Sequence, residues 1–236
     1  MKRVLTWGLG GLLGVLALGA AAIAWLDAAD APPSVNPRPV ATDAAAIDRG
    51  RYLAQAGNCA ACHTRRGEPP YAGGEALVTP FGTVYGGNLT PHATTGLGAW
   101  STDDFWRALH HGRSRDGRML TPAFPYPHFT QVTREDSDAL FAFLRSVPAV
   151  DRPNTPNALA FPYDTQLALK VWRALYFRPG TFVAQPAKSA EWNRGAYLVN
   201  GLGHCAACHG ARNAMGATIA GREFDGAPIP GQGWYA

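Results

Sequence analysis

Two identical pentapeptides could do chemistry: Cys59-Ala60-Ala61-Cys62-His63 and Cys205-Ala206-Ala207-Cys208-His209. Two thiols three positions apart on a helical turn can reach both vinyl groups of one porphyrin and close two thioethers. The histidine that follows lies beneath the ring, with a nitrogen to offer the iron. Cys-x-x-Cys-His is the attachment signature of c-type haem. The pair predicts two covalently attached haems c, held by Cys59, Cys62, Cys205 and Cys208, with His63 and His209 as iron ligands. The chain has four cysteines and all are used in this way, so none remains for a disulfide framework. A thioredoxin-like pair would need a βαβ setting, and none flanks either site. Two Cys-x-x-Cys-His elements this far apart do not make one compact zinc site. Simple disulfides would leave the two histidines without a purpose.

Electron-transfer haems commonly take a methionine as sixth ligand, which raises the reduction potential. Met1 starts the chain, and Met215 follows His209 too closely to fold over the far face of that haem. Met119, in a Gly- and Pro-containing stretch before an expected helix, is therefore the candidate ligand of the first iron. His128 is the alternative and would give a bis-histidine haem of lower potential. The second haem shows no sixth ligand. His92, His110, His111 and His204 read as surface or loop residues, and Arg51, Arg65, Arg66 and Arg212 as solvated charge.

The elements that must hold these groups repeat. Asp48–His63 is expected to repeat without a gap in Asn193–His209, at an offset of 146 residues, each CAACH carrying the same Arg-Gly-x-Tyr-Leu lead-in. Ala72–Glu75 finds a looser echo in Ala220–Glu223. Residues 46–56 read as a helix into the first CAACH. Ser101 or Thr102 caps a second helix with Asp103 and Asp104 in its first turn. Thr133 caps a third, whose Leu140, Phe143, Leu144 and Val147 recur at helical steps until Pro148 stops it. Three short helices joined by long loops bury little surface, and a haem would supply the missing apolar centre. Leu167–Phe177 has helical periodicity, with Leu167, Val171, Trp172, Leu175 and Tyr176 expected to pack on a haem domain. The second copy continues only 27 residues past His209 and is expected to be incomplete.

The chain has 236 residues, 47% hydrophobic and 16% charged, with a net charge of +4 spread without Lys/Arg runs, which argues against nucleic-acid binding. Lys2 and Arg3 precede an uncharged run from Val4 to Leu26, 23 residues long and enough to span a bilayer. The length favours a retained anchor over a cleaved signal segment, with the rest exported to the periplasmic face. The expected class is all-α: tandem cytochrome c-like haem domains behind an N-terminal transmembrane helix. The divisions are 1–26 (anchor or signal), 27–44 (Pro/Ala linker), 45–148 (first haem domain), 149–190 (connector with one helix) and 191–236 (second, incomplete haem domain).

Several stretches resemble the multi-haem cytochrome c subunits of bacterial membrane-bound dehydrogenases acting on alcohol, gluconate or sorbitol. They are the two CAACH segments with their lead-ins, Gly87-Asn-Leu-Thr-Pro91, Gly96-Leu-Gly-Ala-Trp-Ser101, Pro122-Ala-Phe-Pro-Tyr126 and Phe177-Arg-Pro-Gly180. The resemblance implies an electron-transfer subunit without substrate chemistry of its own. It would accept electrons from a dehydrogenase catalytic subunit and pass them to ubiquinone or a terminal oxidase. That family often carries a methionine in or just after the Pro-Ala-x-Pro-Tyr loop, where this chain has Phe124 and Val132. The rival reading is a haem enzyme or oxidase-associated cytochrome with an open sixth position.

Overall fold

The computed structural model describes residues 2–29 and 38–228, without the side chains of residues 2–9, 12 and 26–29. Helix α1 spans Lys2–Ala29. Helix α2 (Ala44–Ala56) starts where the Asp43 side chain accepts from Ala46 N, and leads into α3 (Cys59–His63). Helix α4 (Thr102–His111) has a capping box: Ser101 accepts from Asp104 N, and the Asp104 carboxylate accepts from Ser101 N. A short α5 (Tyr126–Phe129) precedes α6 (Arg134–Ser146), which Thr133 caps. The expected helices form, and Ser101 rather than Thr102 is the cap.

Helices α2 and α6 pack against each other. They meet closely at Gly50, where a Cβ would lie 2.7 Å from Phe143 Cβ. Leu53, Phe105, Leu109, Phe129, Phe141 and Leu144 form the core around this crossing, and Cys59 packs against it. Packing supplies most of the stability of such short helices.

The class is mostly helical, but a three-stranded antiparallel sheet interrupts it. Strands β1 (Ala76–Thr79) and β2 (Gly82–Tyr85) pair as a hairpin with Ala76 opposite Tyr85. Strand β3 (Ala158–Leu159) joins from the connector. Val78, Thr83, Val84 and Tyr85 favour strand, yet runs of four residues are too short for their periodicity to stand out.

The connector helix α7 (Gln166–Tyr176) is capped by Thr165. Its predicted apolar side divides. Trp172 is buried, whereas Leu167 and Leu175 are 67% and 60% exposed. Helix α1 lies beside α7. Among the described residues no helix is long and apolar enough to cross a membrane. Part of the segment 4–26 expected to be the anchor, the side chains of residues 4–9, 12 and 26, lies outside the described residues. Residues 30–37 of the expected linker and 229–236 of the expected second domain lie outside them too.

The second lead-in forms α8 (Ala190–Tyr197), followed by a π-helical turn at Leu198–Leu202 and then α9 (Ala206–His209). This corrects the gap-free repeat. Arg49 corresponds to Arg194, but Cys59 corresponds to Cys205, so the second copy holds one more residue between them. The wider π turn absorbs it. The chain then regains the first copy's path: Asn58 and His204, each just before a first cysteine, share left-handed backbone (φ 49° and 40°). The echo of Ala72–Glu75 also moves. Gly73 N donates to His63 O and Gly226 N donates to His209 O, both at 2.8 Å, so Gly226 and not Gly221 is the counterpart of Gly73.

Candidate functional site

In α3 the two thiols lie one helical turn apart and both are free. Burial pushes the Cys59 thiol up to about 12, opposed by a backbone hydrogen bond at Cys59 and aided by the nearby Cys62. Cys62 is also raised, first by burial and then by Cys208 and Glu75. The thiol of one CAACH therefore lies within electrostatic reach of the other, and the fold brings the two sites together.

His63 is held from behind. Its Nδ1 lies 2.7 Å from Gly87 O. A carbonyl only accepts, so Nδ1 carries the proton and Nε2 presents its lone pair. This is the arrangement of a metal-binding imidazole, whose second nitrogen donates to a carbonyl that fixes its tautomer and orientation. Burial lowers the pKa of His63, with the bond to Gly87 opposing, so the ring is neutral as ligation requires. Gly73 and Asn88 brace the carbonyl. A Cβ at Gly73 would lie 2.6 Å from Gly87 C, and Asn88 N donates to Asn154 Oδ1 at 2.7 Å.

The residues fit a covalently held haem: paired free thiols on one turn, an imidazole with an oriented free nitrogen, and apolar packing that reaches Cys59. Tyr71, Leu89, Trp100 and Phe124 border that apolar cluster. In the second copy Cys205, Cys208 and His209 repeat the turn. Among the described residues no carbonyl accepts from the His209 ring.

Met119 is 3% exposed. Its N–H donates to Gln166 Oε1 at 2.8 Å and its carbonyl accepts from Gln166 Nε2 at 3.2 Å. It lies outside the apolar cluster that borders Cys59, which Phe124 joins. His128 faces the second copy instead. It is bonded to the Asn200 backbone, and its pKa falls to about 4, first through burial and then through His204. His110 and His111, expected at the surface, are buried at the C-terminal end of α4, and burial lowers both to about 4. His204 is also packed inward, its ring stacked on Phe129 with centroids 5.4 Å apart.

Residues 47–148 match the family model described as cytochrome c. The chain is 37% identical over 235 residues to a diheme cytochrome c-type protein of Cereibacter sphaeroides, covering 98% of this chain and 77% of that one. The chain belongs to the cytochrome c family. This cytochrome is also 45% identical over 220 residues to one of the nicotinate dehydrogenase subunits of Pseudomonas putida, covering 92% of the chain and 18% of that protein. Over 201 residues it is 41% identical to the gluconate 2-dehydrogenase cytochrome c subunit of Pantoea cypripedii, covering 81% of the chain and 45% of that protein. The chain thus spans less than half the length of these last two relatives.

The sequence reading missed the Gly87 carbonyl, which stands 24 positions from His63. It also missed Asp136, a 1%-exposed carboxylate on α6 that accepts from Arg49 Nε at 2.7 Å and from Tyr197 OH at 2.6 Å. Asp136 had a local signal, as an acidic residue in a helix's first turn, but nothing local named its distant partners.

Proposed function

We propose that this cytochrome relays electrons through two covalently attached haems c, one on each CAACH, in a tandem of haem domains. The observation that carries the reading is the His63 Nδ1 donation to Gly87 O, which leaves Nε2 aimed and unprotonated beside two free thiols. When bound, haem supplies an iron centre that takes up and releases one electron. Cys59 and Cys62 would tether one haem, with His63 as its iron ligand, and Cys205 and Cys208 the other, with His209 as its ligand. The Gly87 carbonyl keeps the first imidazole basic and fixed, which favours the ferric state and lowers the potential. Met119 is the candidate sixth ligand of the first iron. The buried setting suits a thioether, and the Gln166 clamp fixes its loop.

The similarity to dehydrogenase cytochrome subunits supports a dehydrogenase catalytic subunit as electron donor. Substrate chemistry then belongs to that partner, and this chain acts as the electron-transfer subunit rather than the enzyme. The electron leaves to a quinone or a terminal oxidase. The uncharged run Val4–Leu26 behind Lys2 and Arg3 supports anchoring at the periplasmic side of the inner membrane.

The test is a pyridine haemochrome spectrum of the full chain expressed with cytochrome c maturation. Two acid-stable haems per chain are expected. No covalent haem would overturn the reading, and one would remove the second site.

A further inference from the structure

The duplicated lead-ins do not lie apart; they converge on one carboxylate. Asp136 on α6 takes an ion pair from Arg49 of the first copy (2.5 Å) and the Tyr197 hydroxyl of the second (2.6 Å). Arg194, the second copy's counterpart of Arg49, reaches the same carboxylate at 4.0 Å. Tyr197 OH also accepts from Thr133 N at 3.2 Å, and its ring packs on Phe182. Burial and then the bond to Asp136 raise the Tyr197 pKa to about 12, so the hydroxyl stays a donor. Beyond it the π turn drives Leu202, 1% exposed, into the first copy's core, where it meets Gly57. His204 then stacks on Phe129. These contacts tie α8 and the second CAACH rigidly to the first domain.

We propose that Tyr197, through Asp136, and His204, through Phe129, are positioning residues that set the geometry between the two haem sites and so the rate of electron exchange between them. The step is a simple exchange: one ferrous iron becomes ferric as the other ferric iron becomes ferrous. The proposal rests on the two-haem reading above.

The experiment uses the full-length holoprotein and two variants. Tyr197→Phe removes only the hydroxyl. His204→Asn keeps a residue that tolerates left-handed backbone but deletes the stack. Haems per chain are counted first. Then the Soret circular-dichroism couplet, the redistribution of an electron after flavin photoreduction, and amide hydrogen exchange across α8 and the π turn are measured. Both variants are expected to keep two haems with unchanged absorption. They should show a weaker couplet and slower redistribution, and Tyr197→Phe about tenfold faster exchange in α8, as loss of a hydrogen bond to a charged group predicts. Two haems with an unchanged couplet and redistribution rate in both variants would overturn the proposal while leaving the two-haem reading intact. One haem in the unaltered chain would overturn the underlying reading, and this proposal with it. If one variant fails to mature, the other decides alone.

Discussion

Gly73→Ala tests how the first imidazole is held. Gly73 sits at φ 79°, and a Cβ there would lie 2.6 Å from Gly87 C, 2.7 Å from Asn88 N and 2.8 Å from Gly86 O. Ordinary van der Waals contact begins near 3.4 Å. The neighbours are backbone atoms braced by their own hydrogen bonds, so the Gly87 peptide must retreat by about 0.8 Å, a forced overpacking. The His63–Gly87 bond, 2.7 Å long, would then stretch to about 3.5 Å, where a hydrogen bond is nearly lost. Left-handed strain for alanine costs about 1 kcal/mol, and the crowding and lost bond about 2 kcal/mol more. A loss of about 3 kcal/mol lowers Tm by roughly 6–12 °C if the whole chain unfolds as one unit. Gly67→Ala is the matched control: its φ is 80°, but nothing lies within 4 Å of the added Cβ, so it should show only the strain. The assays are thermal unfolding of the holoprotein and redox titration of the first haem. A weaker imidazole donor stabilises ferric iron less, so the potential should rise in Gly73→Ala and stay put in Gly67→Ala. Equal Tm losses with no change in potential would refute the claim that Gly73 supports the His63 acceptor.

Three further outcomes are expected. Met119→Ala should abolish the sulfur-to-iron charge-transfer band of the first haem and lower its potential; an unchanged near-infrared spectrum and potential would exclude Met119 as ligand. His110, His111 and His128 are each pushed by burial to about 4, against an ordinary value of 6.5. Between those values the unfolded chain binds more protons than the folded one, so stability should fall as pH drops from about 6.5 to about 4. Thermal melts across that window check this, and a flat Tm would count against burial of these rings. Alkaline carbonate extraction of membranes should leave the full chain in the pellet and release a chain lacking residues 1–29; release of both would exclude the anchor.

The cofactor chemistry was legible in the sequence because its determinants are local. Cys-x-x-Cys-His acts within one turn, and caps such as Ser101 and Thr133 bond to N–H groups three residues on. The duplication was equally plain from the repeated Arg-Gly-x-Tyr-Leu. The second copy's extra residue can be counted there too, but its effect cannot be read there, since it lies in how the π turn lodges Leu202 in a distant core. His110 and His111 looked superficial because polarity was read without α5, α6 and α7 closing over the end of α4. The α7 stripe showed helical period, but a period does not say which apolar side finds a partner; Trp172 did, donating to Met215 O at 2.9 Å, and Leu167 and Leu175 did not. The groups that orient the chemistry lie farther still along the chain: Gly87 beside His63, Gln166 beside Met119, and Asp136 between Arg49 and Tyr197. Sequence alone supplied the atoms proposed to bind haem. Tertiary structure decided how those atoms are aimed and how close the two sites stand, because both depend on hydrogen bonds and packing between residues tens of positions apart.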